Sequence, residues 1–354
     1  MMFLRQVFLK IVQFEHGIRF ISSKRQFKEV SVEVPWGQIS GKWWEPFDTR
    51  PILSIHGWQD NCQSFDRLIP LLNEDVGFLA IDSAGHGYSS RLPPGMLYHH
   101  INHLITIRSV ANYFNWPKVS LMGHSLGSIM SYMYSSLYPT EIDFLICLDA
   151  IRPRQTTNVL PEITKTIELY MKTDEFMRKG HEPPSYSIEE IKKKLSEPIE
   201  NSILLEYTQF LMERGIAPSK KYPGKYYFTR DPRVKISNFF VISDEEVSQS
   251  IPLMKMPIFF VKASDSPYFF GKTEIFFEFL DAHRKNNTNF EHHFIEGTHH
   301  VHLNNPERVA PLVKNFIKKY NVGDRSQGGL PENIVQNIDA TQMWSDNNFE
   351  KDSN

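Results

Sequence analysis

Val119-Ser120-Leu121-Met122-Gly123-His124-Ser125-Leu126-Gly127 is the stretch on which the fold turns. It is a G-x-S-x-G run placed between a short apolar segment, 119–122, and a helical stretch, 126–138. A strand that passes straight into a helix here makes so tight a turn that the serine takes a positive-φ backbone. The residues two before and two after the serine then pass close to neighbouring backbone, so both have to be glycine. An ordinary strand-to-helix turn with an incidental serine leaves Gly123 and Gly127 unexplained. Ser125 would stand at the carboxyl end of a central strand, where open α/β sheets bind ligands.

Working outward, further apolar runs without alternation occur at Ile52–Ile55, Phe78–Ile81 and 144–148, and strand-like runs return at 258–261 and Phe290–Ile295. Runs of this length fit strands buried on both faces. Helical stretches such as 99–114 separate the early ones, which predicts right-handed βαβ crossovers. Residues 28–46 alternate and turn at Trp36-Gly37-Gln38, which predicts an antiparallel hairpin. The rhythm breaks over 151–250, where helical pieces occur without a good buried strand. Ser187 to Glu190 is a capping box opening one of these helices. A final helix starts at Pro306 with Asn305 as its N-cap. The expectation is a mostly parallel, doubly wound α/β sheet formed by 27–150 and 251–320. A helical cap, 151–250, is inserted before the last two strands.

The two ends read differently. Residues 1–26 carry five basic residues against Glu15, with Leu4, Val7, Phe8, Ile11 and Ile18 at helical spacing. Such a segment has the pattern of a mitochondrial presequence, with an extra helix as the alternative. From Asn321 onward polar residues dominate, and 321–354 is expected to be a mobile tail. Its last residues, Asp352-Ser353-Asn354, are not a peroxisomal signal. Cys62 and Cys147 are the two cysteines of the 354-residue chain and are expected to be free thiols in a reducing compartment. The location expected is therefore intracellular: mitochondrial if 1–26 is an address, otherwise cytoplasmic or peroxisomal. No apolar run is long enough to span a bilayer. The net charge of −2 gives no footprint for nucleic acid.

The chemistry expected around Ser125 needs oxyanion donors and a base. Strand Ile52–Ile55 ends in His56-Gly57-Trp58, where the glycine lets the loop present a backbone N–H. The Trp58 N–H and the Leu126 N–H are the expected donors. His56 is expected to brace that loop, and Asp82, in Asp82-Ser83-Ala84-Gly85-His86-Gly87, to cap backbone. The base has to follow the strand Phe290–Ile295. Gly297-Thr298-His299-His300-Val301-His302 offers three histidines, of which His299 enters the loop first. A metal reading of this cluster lacks ligand-spaced partners, since Glu296 is the carboxylate nearby in sequence, so neither metal nor cofactor is expected.

Several segments together resemble a known family. Val34-Pro35-Trp36-Gly37, His56-Gly57-Trp58-Gln59-Asp60-Asn61, Ser64-Phe65-Asp66-Arg67-Leu68-Ile69-Pro70 and Arg230-Asp231-Pro232-Arg233 look like the serine hydrolase-like (Kraken-type) group of the α/β-hydrolase superfamily. So does His299-x-x-His302-Leu303-Asn304. The resemblance covers roughly 28–320. It implies a helical cap over the site and a Ser-His-acid triad, with Ser125 as nucleophile and His299 as base.

The acid departs from the superfamily's common G-x-x-D turn. The corresponding segment is Lys262-Ala263-Ser264-Asp265-Ser266-Pro267, which lacks the glycine and is one residue short. Asp149, after the strand at 144–148, is the other candidate, at the place where haloalkane dehalogenase-like enzymes keep their acid. Asp149 is preferred, with Asp265 as the alternative. The implied reaction is hydrolysis of an ester or similar acyl bond through an acyl-enzyme. Aromatic residues scattered through the cap suggest a small apolar ester or acyl substrate. The rival reading is a ligand-binding or interaction module with little turnover. A dehalogenase or epoxide hydrolase would need an aspartate in place of Ser125.

Overall fold

A computed structural model describes residues 25–152, 159–197, 202–236, 242–268, 273–321 and 325–336. Among them, eight strands form one sheet in the order β1-β2-β4-β3-β5-β6-β9-β10. These are β1 (Phe27–Val34), β2 (Gly37–Trp44), β3 (Ile52–Ile55), β4 (Phe78–Ile81), β5 (Val119–His124), β6 (Ile142–Leu148), β9 (Ile258–Ala263) and β10 (Phe290–Ile295). The hairpin β1–β2 is antiparallel, β2 runs antiparallel to β4, and every later pairing is parallel. The helices are α1 (His100–Tyr113), α2 (Leu126–Leu137), α3 (Val159–Arg178), α4 (Ile188–Ser196), α5 (Gln209–Gly215), α6 (Asp244–Ser250), α7 (Thr273–Asn286), α8 (Val301–Asn304) and α9 (Pro306–Tyr320). None of them is long and apolar enough to cross a membrane.

The unbroken apolar strands follow from helices on both faces of the sheet. Leu53, Ile55, Leu121, Leu145, Cys147 and Phe260 pack in one core with Ile107 and Val110 of α1, Met130 of α2 and Leu280 of α7. Their neighbours in sequence, Ile52, Met122, Phe144, Ile146, Phe259 and Val261, point the other way into a second core with Val313, Phe316 and Ile317 of α9. Strand β5 lies between β3 and β6, so its carboxyl end opens near the middle of the sheet.

The stretch 151–250 contains α3 to α6, and α4 opens with the reciprocal Ser187–Glu190 capping box. It also contains a two-stranded antiparallel sheet, β7 (Ile216–Pro218) with β8 (Tyr226–Phe228), which the helical expectation did not include. Residues this short pair because Ile216 and Phe228 bury against Ile191 and Met212. Two differences concern the ends. Residues 1–24 lie outside the described residues. Arg25, counted with the candidate targeting segment, instead donates to the carbonyls of Glu45 and Ile69 at 3.0 and 3.1 Å. In the tail, 325–336 packs on the core, with Leu330 N bonded to Phe47 O at 2.7 Å and Val335 bridged to Val30. Polar composition hid this because a handful of anchors, Leu330, Ile334 and Val335, is diluted by the polar residues around them. The rest of the tail, 337–354, lies outside the described residues.

Candidate active site

Ser125 sits between β5 and α2 with φ 51° and ψ −118°. A side chain at Gly123 would bring its β-carbon to 2.4 Å from Ser128 N, and one at Gly127 to 2.1 Å from Ile55 O. Both glycines are therefore needed to let β5, α2 and the end of β3 close around the serine.

The structure brings His299 and Asp149 to this turn. His299 Nε2 lies 2.7 Å from Ser125 Oγ, and His299 Nδ1 lies 2.5 Å from Asp149 Oδ2. With its proton on Nδ1 and donated to Asp149, His299 presents an unprotonated Nε2 to the serine hydroxyl. Burial pushes His299 down to about 4, against the upward pull of Asp149, so the ring is neutral near pH 7.

Asp149 is fully buried at the end of β6, in a left-handed conformation with φ 59°. Its Oδ1 accepts from Ala263 N at 2.7 Å and Lys262 Nζ at 2.9 Å, and Ser266 Oγ donates to Oδ2. Burial opposes its ionisation, but His299, Lys262 and Ser266 outweigh that and hold the carboxyl below its ordinary value. Asp265, the alternative acid, is not brought to His299. Its side chain is exposed and accepts from Ser264 Oγ at 2.8 Å. The shortened turn after β9 faces Ser266 inward instead, where its hydroxyl supports Asp149.

His56 fixes the loop after β3. Its Nε2 accepts from Ser83 N at 2.9 Å, so Nδ1 carries the proton and donates to Gly57 O at 2.7 Å. Asp60 N also donates to Gly57 O, at 3.2 Å. In a trans peptide the N–H points opposite to the preceding carbonyl, so the Trp58 N–H is turned away from both donors. A β-carbon on Gly57 would lie 3.2 Å from Ser125 Cβ, which places this peptide beside Ser125. The Leu126 N–H is the first of α2 and has no intrahelical acceptor. The arrangement can thus offer two N–H groups to a developing oxyanion. The indole of Trp58 plays a separate part, donating from Nε1 to Val234 O at 2.7 Å.

Four further groups escaped the sequence reading. Lys262 and Ser266 support Asp149, and Asp60 and His124 support the histidine loop. His124 Nε2 donates to His299 O at 3.0 Å, and His300 Nε2 donates to Asp60 Oδ2 at 3.1 Å while its Nδ1 accepts from Ser202 Oγ. Among the described residues, Asp60, His124 and His300 bring ligand-type atoms within 4.8 Å of one another and could hold a metal. The carboxylate in that group is Asp60 from the oxyanion loop; Glu296 is exposed beside Arg308. No local pattern announces contacts between residues 113 to 240 positions apart. Asp82 accepts from Cys62 N and Tyr88 N at 2.9 and 3.0 Å, and is paired with Arg214 of α5.

The fold and this strand–serine–helix turn define an α/β hydrolase. The sequence profile of the alpha/beta hydrolase fold family matches residues 50–179. A probable serine hydrolase of Drosophila melanogaster is 33% identical over 296 residues, covering 83% of this chain and 88% of that protein. A serine hydrolase-like protein of Danio rerio is 31% identical over 300 residues, covering 83% and 90%. A solved structure, a hypothetical protein of Pseudomonas aeruginosa PAO1, superposes with a TM-score of 0.70 at 24% identity, covering 83% of this chain and 99% of that one. The chain belongs to the serine hydrolase-like group of the α/β-hydrolase family.

Proposed function

We propose that the protein is a serine hydrolase that cleaves an ester or similar acyl bond. The observation that carries this reading is the continuous line from Ser125 Oγ through His299 to Asp149, at 2.7 and 2.5 Å. Ser125 attacks the carbonyl while His299 Nε2 takes the hydroxyl proton. Asp149 holds the ring in the required tautomer and stabilises the imidazolium. The Trp58 and Leu126 N–H groups receive the oxyanion as the tetrahedral adduct forms. His299 then returns the proton to the leaving group, and a water activated by the same ring hydrolyses the acyl-enzyme.

Turnover of p-nitrophenyl esters of graded acyl length, with labelling by a fluorophosphonate, tests the proposal. The wild-type protein should do both. Ser125→Ala should lose labelling and at least about three orders of magnitude of turnover. A variant that keeps near-wild-type rates would sink the assignment, and a wild-type protein that neither labels nor turns over would favour the binding-module reading.

A further inference from the structure

The cap holds a cavity of about 290 Å³ whose lining includes Lys172 and Phe176 of α3, Tyr186, Phe228 of β8, Arg230 and Lys235. Among the described residues, none of those lining it is acidic. The arginine at its wall differs from its neighbours. Arg214 is clamped by Asp82 and Glu29, and Arg233 by Asp231 and the carbonyls of Leu92, Pro93 and Met96. Arg230 makes no ion pair among the described residues, and its buried Nε finds no hydrogen-bond partner there. Its guanidinium lies over the Phe228 ring, 4.1 Å from the centroid, which fixes the plane of the fork. Burial pushes Arg230 down to about 10, opposed by Asp60 and Tyr186, so it remains a cation at neutral pH. Lys235 is lowered by desolvation and then by Arg230 and Lys194, the mark of positive charge without a compensating anion.

This wall adjoins the loop after β3, which also borders Ser125. Val234, inside the turn Pro232–Lys235, accepts from the Trp58 indole at 2.7 Å, and Trp58 follows the glycine that packs on Ser125. The Arg230 guanidinium also feels the field of Asp60, on that same loop.

We infer that this cavity is the subsite for an anionic end group of the substrate, a carboxylate or a phosphate, with Arg230 as its main partner. Lys172 and Lys235 add charge at the rim, and Phe176, Tyr186 and Phe228 contact the apolar chain that links the anion to the scissile carbonyl. The inference rests on the serine-hydrolase reading above. It turns the small apolar substrate expected from the cap's aromatic content into one that is apolar along its chain and charged at its end. An arginine pre-positioned on a ring suits a planar or tetrahedral oxyanion because its two N–H groups can bind two oxygens at once.

The test compares p-nitrophenyl half-esters of succinic, adipic and suberic acids with p-nitrophenyl butanoate, hexanoate and octanoate. The wild-type protein should favour the half-ester in kcat/KM by about tenfold or more at one chain length, the effect of one charge-assisted contact. Arg230→Gln should bring that ratio to about one, Arg230→Lys should keep part of it, and the exposed Lys235→Gln should lower it by about twofold. The ratio is read within each variant, so a loss of folded protein does not imitate it, and the wild-type ratio alone already decides. Calorimetric titration of Ser125→Ala with adipate and with inorganic phosphate separates the two anion sources by which of them binds. Absence of half-ester preference in the wild type overturns the subsite, whether or not free adipate or phosphate binds. If no ester is turned over but either anion binds Ser125→Ala and not its Arg230→Gln derivative, the hydrolase reading fails while the anion site stands.

Discussion

At the scale of single residues, Ser125 and His299 were legible because each sits in a local pattern, an elbow bracketed by glycines and a histidine just past the last strand. Which carboxylate meets His299 was not, because Asp149 and Asp265 both follow strands and nothing local says which turn faces inward. The folded chain separates them: Asp149 is fully buried and bonded to His299 Nδ1, while Asp265 is exposed. Asp149→Asn keeps the size of the side chain, removes the charge that stabilises the imidazolium and favours the wrong tautomer. A loss of about 10⁴-fold in kcat is expected on a p-nitrophenyl ester. Asp265→Asn should retain most activity. The reverse result would return the acid to the turn after β9, and two active variants would reduce the machinery to a Ser-His dyad. The pH profile tests the base itself. In the proposed mechanism His299 has to be neutral to accept the serine proton, and its burial lowers it to about 4. Protonation therefore removes activity only as pH falls through that depressed value, and the acid limb of kcat/KM should have its midpoint well under the ordinary 6.5. A midpoint at or above 6.5 would show that His299 is less desolvated or more strongly held by Asp149 than the geometry indicates.

Elements of the sheet were legible for a physical reason. A strand covered on both faces is written mostly in apolar residues without strict alternation, and β3 to β6 and β9 are of that kind despite Ser54, Ser120, Asp143 and Lys262. The way α5 docks on the sheet was not legible, because it depends on ion pairs between elements far apart in sequence. Arg214 at the end of α5 bonds Asp82, after β4, at 2.7 and 2.9 Å, and Glu29 of β1 at 2.7 Å. Its side chain is 1% exposed and that of Asp82 0%. Burial alone would raise the Asp82 carboxyl, but Arg214 and the Cys62 and Tyr88 amides outweigh it and keep the group ionised. Arg214→Met preserves much of the packing and strands that charge. It should cost about 3–5 kcal/mol in denaturant unfolding, since a buried pair is most costly when half of it is removed. A loss under about 1 kcal/mol would mean that water or another cation reaches Asp82 and that α5 is held by its apolar contacts instead.

The whole molecule depends on how its sheet ends, and here composition misled. Strand β1 is the outer strand beyond β2, and an outer strand exposes unpaired N–H and C=O groups. Residues 325–336 cover it. Val335 bridges Val30, and Gln336 N donates to Glu29 O at 2.9 Å. Upstream, Trp116 Nε1 donates to Gly328 O at 3.2 Å, and Gly328 has φ 101° with no room for a β-carbon beside the Trp116 ring. Between these anchors Ile334 is 4% exposed and belongs to the same core as Val30, Val32 and Trp43. A tail judged by average polarity looks unable to offset its ordering entropy, yet a few apolar anchors and borrowed backbone bonds suffice when a prepared edge awaits them. Glu29 ties this to α5, because its carbonyl receives Gln336 and its carboxylate receives Arg214. Ile334→Ala should therefore destabilise the entire domain, by about 2 kcal/mol or more, as for other buried isoleucines. Truncation before Arg325 should lower the melting temperature further and promote association through the uncovered β1 edge, seen as a rise in light scattering. Stability and monodispersity unchanged in both variants would show that 325–336 rests on the surface without contributing to the fold.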